Sequence, residues 1–388
     1  MSIKSTVARP VRIGRLTVGG GAPVRVQGMT KTRTADLKAT RLELEALAAA
    51  GAELVRLAVK DEEDLAAFAR LKSISRLPLV ADIHFRGDLA LGALAAGADK
   101  VRLNPGNLDD PVRLAEIIRL ARRKGAAIRI GVNSGSLPGG PGEPVSGLET
   151  ARLMVRTAAA YLENFETLDF HNLVVSLKSS SVPVTLAANR LFRRHFDYPL
   201  HLGVTEAGRG GPALVKSSIG IGALLADGIG ETLRVSLSGP AVEEVAAGRW
   251  ILQALELRNF QPELISCPTC GRCRSDLFSI LDRVEDGLKR LPGYPERYAG
   301  FKVAVMGCEV NGPGEAAAAD IGVACGGKRG LLFRKGRVVE RPPAAGLAEA
   351  LLAELSRLNP GPVKRESNGD HPIKTKPKRG GTSNRRRK

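Results

Sequence analysis

The chain has 388 residues, 43% of them hydrophobic, which is enough for two or three domains with a sizeable core. No stretch is apolar over the length of a membrane span, and residues 1–20 lack the apolar segment and cleavage site of a secretion signal. Five cysteines in a chain of this length exclude a disulfide-based fold and predict a reducing compartment, the cytoplasm.

The formal net charge of +18 is unevenly distributed. Residues 361–388 contain ten Lys and Arg against Glu366 and Asp370, so this short segment carries +8. Its richness in Pro, Gly, Ser and Asn predicts a disordered basic tail, which we place at 358–388. No aromatic residues alternate with its charges, so we expect no specific nucleic-acid binding there. The remaining +10 suits anionic ligands or an acidic partner protein.

Residues 20–258 repeat one pattern eight times, in which a short β-branched run precedes a segment with apolar residues at helical spacing. The predicted strands are 23–27, 53–58, 78–83, 100–103, 127–132, 172–177, 199–204 and 231–237. The predicted helices lie near 36–50, 61–73, 87–97, 110–124, 147–166, 183–196, 212–227 and 240–257. Asp36, Asp61 and Asp109 are candidate N-caps.

Eight such units in about 240 residues predict a closed (β/α)8 TIM-type barrel over residues 1–258. A doubly wound parallel sheet is the alternative. Its phosphate-binding turn, Gly-x-Gly-x-x-Gly, does not follow the first predicted strand, so the barrel is favoured.

In such a barrel, active sites form at the carboxyl ends of the strands. Basic residues stand near the ends of five predicted strands: Arg56, Arg102, Arg129, Lys178 and Arg234. Each one alone would more often be a salt-bridge partner. Together at one barrel mouth they would repel one another without a bound anion, and Arg and Lys are the residues that phosphate recognition uses. The pattern therefore predicts a small polyanionic substrate.

Other polar residues share these strand-end positions. Three of them are neutral: Asn104, Asn133 and Ser236. Asp82, His84 and Glu206 are candidates for acid–base chemistry. Glu206 has the alternative role of orienting the neighbouring arginines, and His84 that of a structural hydrogen-bond partner.

A cysteine-rich region follows the barrel, in a predicted smaller α+β domain over 259–357. Cys267 and Cys270 are spaced so that both thiols can bind one metal centre, and no second Cys-x-x-Cys pair completes a zinc ribbon. Cys308 would be a third ligand of an iron–sulfur cluster, which takes four. Three residues are candidates for the fourth: Cys273, Cys325 and Glu315. A redox dithiol or a set of incidental thiols would explain the same spacing.

Six ordered segments are distinctive: 80–85 (VADIHF), 102–107 (RLNPGN), 129–133 (RIGVN), 204–208 (VTEAG), 267–270 (CPTC) and 311–315 (NGPGE). Together they resemble the bacterial 4-hydroxy-3-methylbut-2-enyl diphosphate synthase family of the methylerythritol phosphate route to isoprenoids. The resemblance extends from about residue 10 to residue 335. It implies reductive dehydration and ring opening of 2-C-methyl-D-erythritol 2,4-cyclodiphosphate, with two electrons from flavodoxin or ferredoxin.

The resemblance also implies roles for individual residues. Four would hold a [4Fe-4S] cluster: Cys267, Cys270, Cys308 and, unusually, Glu315. Glu206 matches the family's acid–base carboxylate. Seven positions match its substrate-binding motifs: Arg56, Arg102, Arg129, Asn133, Lys178, Arg234 and Ser236. To the predicted substrate site we add Asp82, His84 and Asn104. The chain departs from the family pattern at Gly28, at Cys273 and in the basic tail.

We expect a homodimer in which the cluster domain of one chain caps the barrel of its partner. A helix over 240–257 would carry the chain about 27 Å from the barrel mouth. The nine residues 258–266 then reach at most about 32 Å, which is barely enough to return to the same barrel. A partner's cluster avoids that path, and the resemblance points the same way.

Two other functional classes of protein remain as alternatives. One is a pterin-type or aldolase-type barrel transferase with a structural metal, and the other is a basic nucleic-acid-binding protein.

Overall fold

The computed structural model describes residues 7–84, 86–103, 110–137, 146–270, 273, 275–308, 316, 318–358 and 360–361. Asn104, Glu315 and nearly all of the predicted tail lie outside these residues. The chain divides into two compact units, Met1–Asn259 and Phe260–Lys388. Among the described residues, no helix combines the length and the apolar character that crossing a bilayer requires.

In the described part of the first unit there are ten strands, of which the last eight form one parallel sheet. They are β1 (Val11–Ile13), β2 (Leu16–Val18), β3 (Arg25–Met29), β4 (Leu54–Ala58), β5 (Leu79–Asp82), β6 (Lys100–Leu103), β7 (Ala127–Asn133), β8 (Leu173–Lys178), β9 (His201–Leu202) and β10 (Thr232–Leu233). The sheet order is β8-β7-β6-β5-β4-β3-β10-β9. A further parallel bridge joins Val175 of β8 to Leu200 beside β9, so the sheet closes on itself. The predicted (β/α)8 barrel is confirmed.

One helix follows each barrel strand. The helices are α1 (Leu37–Ala49), α2 (Glu62–Ile74), α3 (Gly87–Ala95), α4 (Pro111–Lys124), α5 (Gly147–Glu166), α6 (Val182–His195), α7 (Gly210–Ala226) and α8 (Ala241–Ala254). Asp36 and Asp61 cap α1 and α2 as predicted. The predicted cap of α4 was wrong by one residue: Asp110, not Asp109, accepts the first helical N–H groups, because Pro111 occupies the first helical position.

The hairpin β1–β2 closes the amino-terminal end of the barrel. Val11, Ile13 and Val18 form one buried apolar cluster with residues from the beginnings of four barrel strands: Leu54, Val80, Ala127 and Val174. The backbone N–H of Arg12 also donates to Asn172 Oδ1, at 3.0 Å. Because this end is filled by side chains, a ligand can enter the barrel from its opposite, carboxyl end.

The second unit is a five-stranded sheet with helices on one face. Its strands are β11 (Glu263–Ser266), β12 (Lys302–Met306), β13 (Ile321–Ala324), β14 (Leu331–Arg334) and β15 (Arg337–Glu340), and its helices are α9 (Leu277–Lys289) and α10 (Leu347–Leu358). The strands lie in numerical order; β11, β12 and β13 are parallel, and β14 and β15 run antiparallel to their neighbours.

Alternation along these strands produces two apolar faces. Val303 and Val305 belong to one buried cluster with Val284 of α9 and Leu351 of α10. Ala304 and Met306, which alternate with these two valines along β12, belong to a separate cluster on the other face. The predicted small α+β domain after the barrel therefore has a core of its own.

Candidate functional site

The basic residues at the strand ends face one another inside the barrel. Residues that are side by side in parallel strands point to the same face. Arg102 is paired in register with Asp82 of β5 and with Arg129 of β7, so these three side chains share one face. Arg102 is 5% exposed and Arg129 is 1% exposed. The polar residues therefore line the barrel interior near its carboxyl end.

The five cations repel one another strongly. Burial, together with the charges of Arg56 and Arg102, lowers the pKa of Arg129 well below its usual value. Burial and the neighbouring arginines, first Arg129, likewise lower the pKa of Lys178. The pKa of Arg234 is lowered by burial and by Arg56. The five basic residues thus lie close enough to form one strongly positive site.

Asp82 is the carboxylate at the centre of this cluster. It is 6% exposed, with Oδ1 3.5 Å from Arg102 Nη1 and Oδ2 3.8 Å from Arg56 Nε. Burial opposes its ionisation, but Arg56, a hydrogen bond from His84 and Arg102 together hold the pKa of Asp82 well below its usual range. Asp82 therefore stays negatively charged and serves as counter-ion to two arginines.

Several donors in the site have no good acceptor. Arg129 Nε and Nη1 and Arg102 Nε are buried without a hydrogen-bond partner in the described part of the chain. Arg56 directs Nη2 and Nε at the sulfur of Met29, at 2.7 and 3.0 Å, and thioether sulfur is a weak acceptor. Buried unpaired guanidinium groups are costly, so the geometry favours an anion with several oxygens at this position.

Two glycines make room for the basic side chains. A Cβ on Gly131 would lie 2.8 Å from Arg102 Nε, and one on Gly203 would lie 2.8 Å from Lys178 Nζ. Both distances are shorter than contacts that real Cβ atoms make. These glycines are therefore part of the site, although they carry no functional group.

The other predicted residues surround this cluster at the mouth. His84 is exposed, with Nε2 2.8 Å from Arg102 Nη1 and 3.3 Å from Asp82 Oδ2. Glu206 follows β9 and is exposed, and its backbone is left-handed with φ of 53°, an uncommon conformation for a residue with a side chain. Asn133 ends β7, and Ser236 lies in the segment between β10 and α8; both are half-buried.

Sequence reasoning missed a second polar layer deeper in the barrel. Lys100 Nζ donates to Gln27 Oε1 at 3.3 Å, and His201 Nδ1 lies 2.9 Å from Thr232 Oγ1. All four residues are at most 1% exposed. Lys100 precedes Arg102 by two positions in β6, so alternation along that strand was a signal for an inward-facing lysine. Glu244, which pairs with Arg234 at 3.0 Å, was missed because it lies in a helix rather than at a strand end.

In the second unit, strand pairing brings candidate cysteines together. β11 and β12 are parallel neighbours, and Ser266 is in register with Val305. Cys267 follows β11 and Cys308 follows β12, so both cysteines lie at the carboxyl ends of neighbouring parallel strands. Cys267 Sγ accepts the backbone N–H of Gly307 at 3.2 Å. Backbone N–H groups directed at sulfur are a feature that tunes thiolate-bound iron–sulfur clusters.

Two further thiols lie close to this pair. A Cβ on Gly307 would be 3.0 Å from both Cys267 Sγ and Cys273 Sγ, so the two sulfurs lie over the same glycine. Cys325, just after β13, is buried; burial raises the pKa of its thiol, and the thiols of Cys273 and Cys267 raise it further.

The described thiols lie close together without forming a complete set of metal ligands. Cys270 is exposed. Within the described residues, no three His, Cys, Asp or Glu side chains already surround one metal position. Soft thiolates on adjacent strand ends, with a backbone donor to one sulfur, are nevertheless a donor set that fits an iron–sulfur cluster.

Comparisons with known proteins cover both units. The chain matches a family model described as "GcpE TIM-barrel domain" over residues 8–249 and one described as "GcpE protein C-terminal domain" over residues 263–357.

Three relatives are each named 4-hydroxy-3-methylbut-2-en-1-yl diphosphate synthase (flavodoxin). The protein from Geobacter sulfurreducens is 48% identical over 350 residues, which are 90% of this chain and 97% of the relative. The one from Ruminiclostridium cellulolyticum is 44% identical over 356 residues, which are 92% of this chain and 99% of the relative. The one from Bacillus subtilis is 46% identical over 353 residues, which are 91% of this chain and 92% of the relative.

Among solved structures, the barrel is similar to dihydropteroate synthases. The enzyme from Xanthomonas albilineans is 18% identical with a TM-score of 0.48, and the match covers 64% of this chain and 97% of that one. The enzyme from Stenotrophomonas maltophilia gives the same identity and TM-score.

Proposed function

Because the chain belongs to the GcpE family, as both of its domains and its relatives show, we propose that it is a 4-hydroxy-3-methylbut-2-en-1-yl diphosphate synthase. It is an iron–sulfur oxidoreductase that reductively dehydrates and opens the ring of 2-C-methyl-D-erythritol 2,4-cyclodiphosphate, a step in isoprenoid precursor synthesis. The observation that carries this proposal is the set of buried, mutually repelling cations around Asp82, which suits a diphosphate. Family membership favours this activity over the transferase and nucleic-acid-binding classes.

The basic cluster binds the diphosphate and stabilises it as it leaves. Arg129 and Arg102 have buried N–H groups that find no acceptor among the described residues, and phosphate oxygens would satisfy them. As the ring opens, negative charge grows on the departing diphosphate oxygen. Cations fixed before the reaction stabilise that charge without having to reorganise. Asn133, Lys178 and Ser236 complete the proposed substrate contacts, and Asn104 belongs to the same proposal although it lies outside the described residues.

Glu206 is the proposed acid–base residue, and Asp82 is not. A proton must reach the departing hydroxyl so that it leaves as water. Asp82 has a pKa held well below its usual range and carries no proton at neutral pH. Its role is to orient Arg56 and Arg102, while His84 contacts Asp82 and Arg102. Glu206 is exposed at the mouth in a left-handed conformation, and such uncommon conformations persist chiefly at functional sites.

We assign the iron–sulfur cluster to the second unit. The proposed group is [4Fe-4S], held by Cys267, Cys270, Cys308 and Glu315, of which Glu315 lies outside the described residues. When bound, the cluster supplies the two electrons one at a time. The chain's own contribution is the placement of Cys267 and Cys308 at adjacent strand ends and the Gly307 N–H that donates to Cys267 Sγ.

Cysteine variants purified without oxygen test this assignment. We expect Cys308→Ser to lose the intact cluster and Cys273→Ser to retain it, as measured by iron content and by electron paramagnetic resonance of the reduced protein. If Cys273→Ser loses the cluster and Glu315→Gln keeps it, the fourth ligand is misassigned. A colourless zinc protein would contradict the iron–sulfur assignment altogether.

The electron donor is flavodoxin, the protein named for the relatives, with ferredoxin as the alternative. The net charge of +18 favours encounter with an acidic donor protein, and such encounters slow as salt rises. The cytoplasmic location predicted from the cysteine content stays a prediction.

We also propose a homodimer. Helix α8 ends at Ala254, so it carries the chain about 21 Å rather than about 27 Å from the barrel mouth. The segment that follows can therefore return to its own barrel more easily than the sequence predicted. Better support comes from an apolar groove between α7 and α8. Leu214, Gly222 and Ala247 line this groove beside Trp250, which is 52% exposed. Exposed apolar grooves of this kind often mark contacts between proteins.

A mixing experiment tests whether each active site is shared between two chains. Glu206→Gln removes the proposed acid–base group, and Cys308→Ser removes a cluster ligand. If barrel and cluster come from different chains, each mixed dimer has one intact site, and equal mixing restores about a quarter of wild-type activity. If subunits demonstrably exchange and no activity returns, each cluster serves its own barrel.

A further inference from the structure

Glu244 has a buried carboxylate that forms an ion pair with the guanidinium group of Arg234. It lies in the first turn of α8 and is 1% exposed. Arg234 Nε donates to Glu244 Oε2 at 3.2 Å, and Arg234 Nη2 donates to Oε2 at 3.0 Å and to Oε1 at 3.3 Å. Such a two-pronged pairing fixes the plane of the guanidinium group as well as its position.

The same carboxylate holds the loop that carries Ser236. The backbone N–H of Leu237 donates to Glu244 Oε1 at 2.9 Å. Ser236 therefore lies between two residues, Arg234 and Leu237, that Glu244 anchors directly. The first turn of a helix favours a carboxylate because its free N–H groups carry partial positive charge.

Lys31 is a second cation that pairs with Glu244, and it lies in the loop after the neighbouring strand β3. Lys31, which follows β3, places Nζ 3.1 Å from Glu244 Oε1. Its Nζ also donates to the carbonyl oxygen of Leu237 at 2.8 Å and to that of Gly239. Because β3 and β10 are adjacent strands, Lys31 and Glu244 tie together two loops at the barrel mouth.

Arg234 needs this partner because of its surroundings. Its side chain is 13% exposed, and Arg56 repels it. Glu244 opposes this repulsion at hydrogen-bond distance, and its charge and hydrogen bonds, with the charge of Asp82, raise the pKa of Arg234 against burial and Arg56. Without it, Arg234 would turn away from the other cations.

We infer that Glu244 is a positioning residue for substrate binding: it holds Arg234 and the Ser236 loop in the geometry that receives the diphosphate. Glu244 acts through Arg234 and the Ser236 loop and need not touch the substrate. This inference rests on the proposed function, because it assumes that Arg234 binds the cyclic diphosphate.

A double-mutant cycle tests the inference. Dissociation constants for 2-C-methyl-D-erythritol 2,4-cyclodiphosphate are measured by calorimetry on the full-length chain. The variants are Glu244→Gln, Arg234→Met and the double substitution. Glu63→Gln is the matched control, since Glu63 also lies in the first turn of a helix and pairs with an arginine, Arg33, at 2.6 Å, but is 73% exposed.

We expect Glu244→Gln to weaken binding about tenfold and Glu63→Gln to leave it unchanged. In the Arg234→Met background, Glu244→Gln should weaken binding much less, because the part of its effect that passes through Arg234 is already lost and only its hold on the Ser236 loop remains. A purely structural role would lower the melting temperature and weaken binding equally in both backgrounds, which would overturn the inference.

The outcomes separate this inference from the proposed function. If Arg234→Met weakens binding and Glu244→Gln does not, only the role of Glu244 is wrong. If Arg234→Met leaves binding unchanged, the proposed substrate site itself is wrong at Arg234. If Glu244→Gln does not fold, Glu244→Asp replaces it, since the shorter carboxylate keeps the charge but loses the two-pronged geometry, and the same weakening is expected.

Discussion

At the scale of single residues, the barrel interior is arranged for an anion that it does not itself contain. Arg129 is 1% exposed, and its Nε and Nη1 have no acceptor in the part of the chain that the structure describes. Asp82 is shared between Arg56 and Arg102, so one carboxylate offsets two charges. A bound diphosphate would supply the missing negative charge. Substrate affinity and the stability of the empty enzyme are therefore coupled at these residues.

Asp82→Asn should destabilise the substrate-free enzyme by about 3 kcal/mol, because two buried arginines would lose their counter-ion. The folded pKa of Asp82 is below its unfolded value, so its stabilisation is present above about pH 4 and is lost as the pH falls further. Bound substrate should narrow the difference from wild type. Thermal unfolding with and without substrate measures both effects.

Asp88→Asn is the control, since Asp88 pairs with Arg86 at the surface and is 53% exposed. It should change stability little. An Asp82→Asn deficit that saturating substrate does not reduce would show that Asp82 has no part in charge balance at the site.

Lys100→Met should stabilise the protein at pH 7 by about 1–2 kcal/mol. Burial first, and then Arg129, lower the pKa of Lys100 well below its usual value. The unfolded state therefore binds the proton more tightly, and this lysine's contribution to stability rises with pH up to about pH 10. Lys100→Met should flatten the rise in stability between about pH 6 and pH 9. Denaturant unfolding across this interval measures it, with the exposed Lys38→Met as control. A loss of stability at pH 7 would contradict the prediction.

At the scale of elements, the cysteine site depends on the pairing of two strands. The parallel register of β11 with β12 places Cys267 and Cys308 at neighbouring strand ends. Gly307 then separates Cys308 from β12 and leaves space for two sulfurs above its Cα. The loop backbone, as much as the thiols themselves, therefore shapes the proposed cluster site.

Gly307→Ala should reduce cluster content severalfold, because the added Cβ would meet Cys267 Sγ and Cys273 Sγ at 3.0 Å. Iron and sulfide content per chain measure the loss. Gly327→Ala, where a Cβ meets nothing within 4 Å, is the matched control. Full iron content in Gly307→Ala would show that the sulfurs move freely and that this backbone does not constrain them.

At the scale of the whole molecule, the outer surface of the barrel carries an apolar face that a single chain leaves open. Trp250 is 52% exposed on α8, and Val215 and Ile219 are 58% and 53% exposed on α7. Burying large apolar side chains against a second copy would remove this surface from water. A two-fold contact uses the same patch on both chains, which suits one continuous groove.

If the proposed homodimer forms through this groove, Trp250→Glu should shift it toward monomer, because a carboxylate would replace an aromatic side chain in the contact. Sedimentation velocity at several protein concentrations measures the shift. Leu42→Glu is the control, since Leu42 is equally exposed, at 52%, on α1. A Trp250→Glu protein that stays dimeric would place the dimer contact elsewhere.

The sequence by itself determined the barrel, because eight alternations of strand and helix periodicity are a local signal repeated along the chain. It also indicated Arg56, Arg102, Arg129, Lys178 and Arg234 as one group, since strand ends meet at one edge of a parallel sheet. The motif segments identified the family, which the two domain matches confirm.

Only the tertiary structure decided which residues touch. Glu244 lies in a helix and not at a strand end, yet the first turn of α8 brings its carboxylate to Arg234. Cys273 was placed outside the ligand motif, yet chain folding brings its sulfur to the same glycine as that of Cys267. Periodicity records which face a residue occupies, whereas a contact between distant residues depends on strand register and on how loops return, which no local pattern encodes.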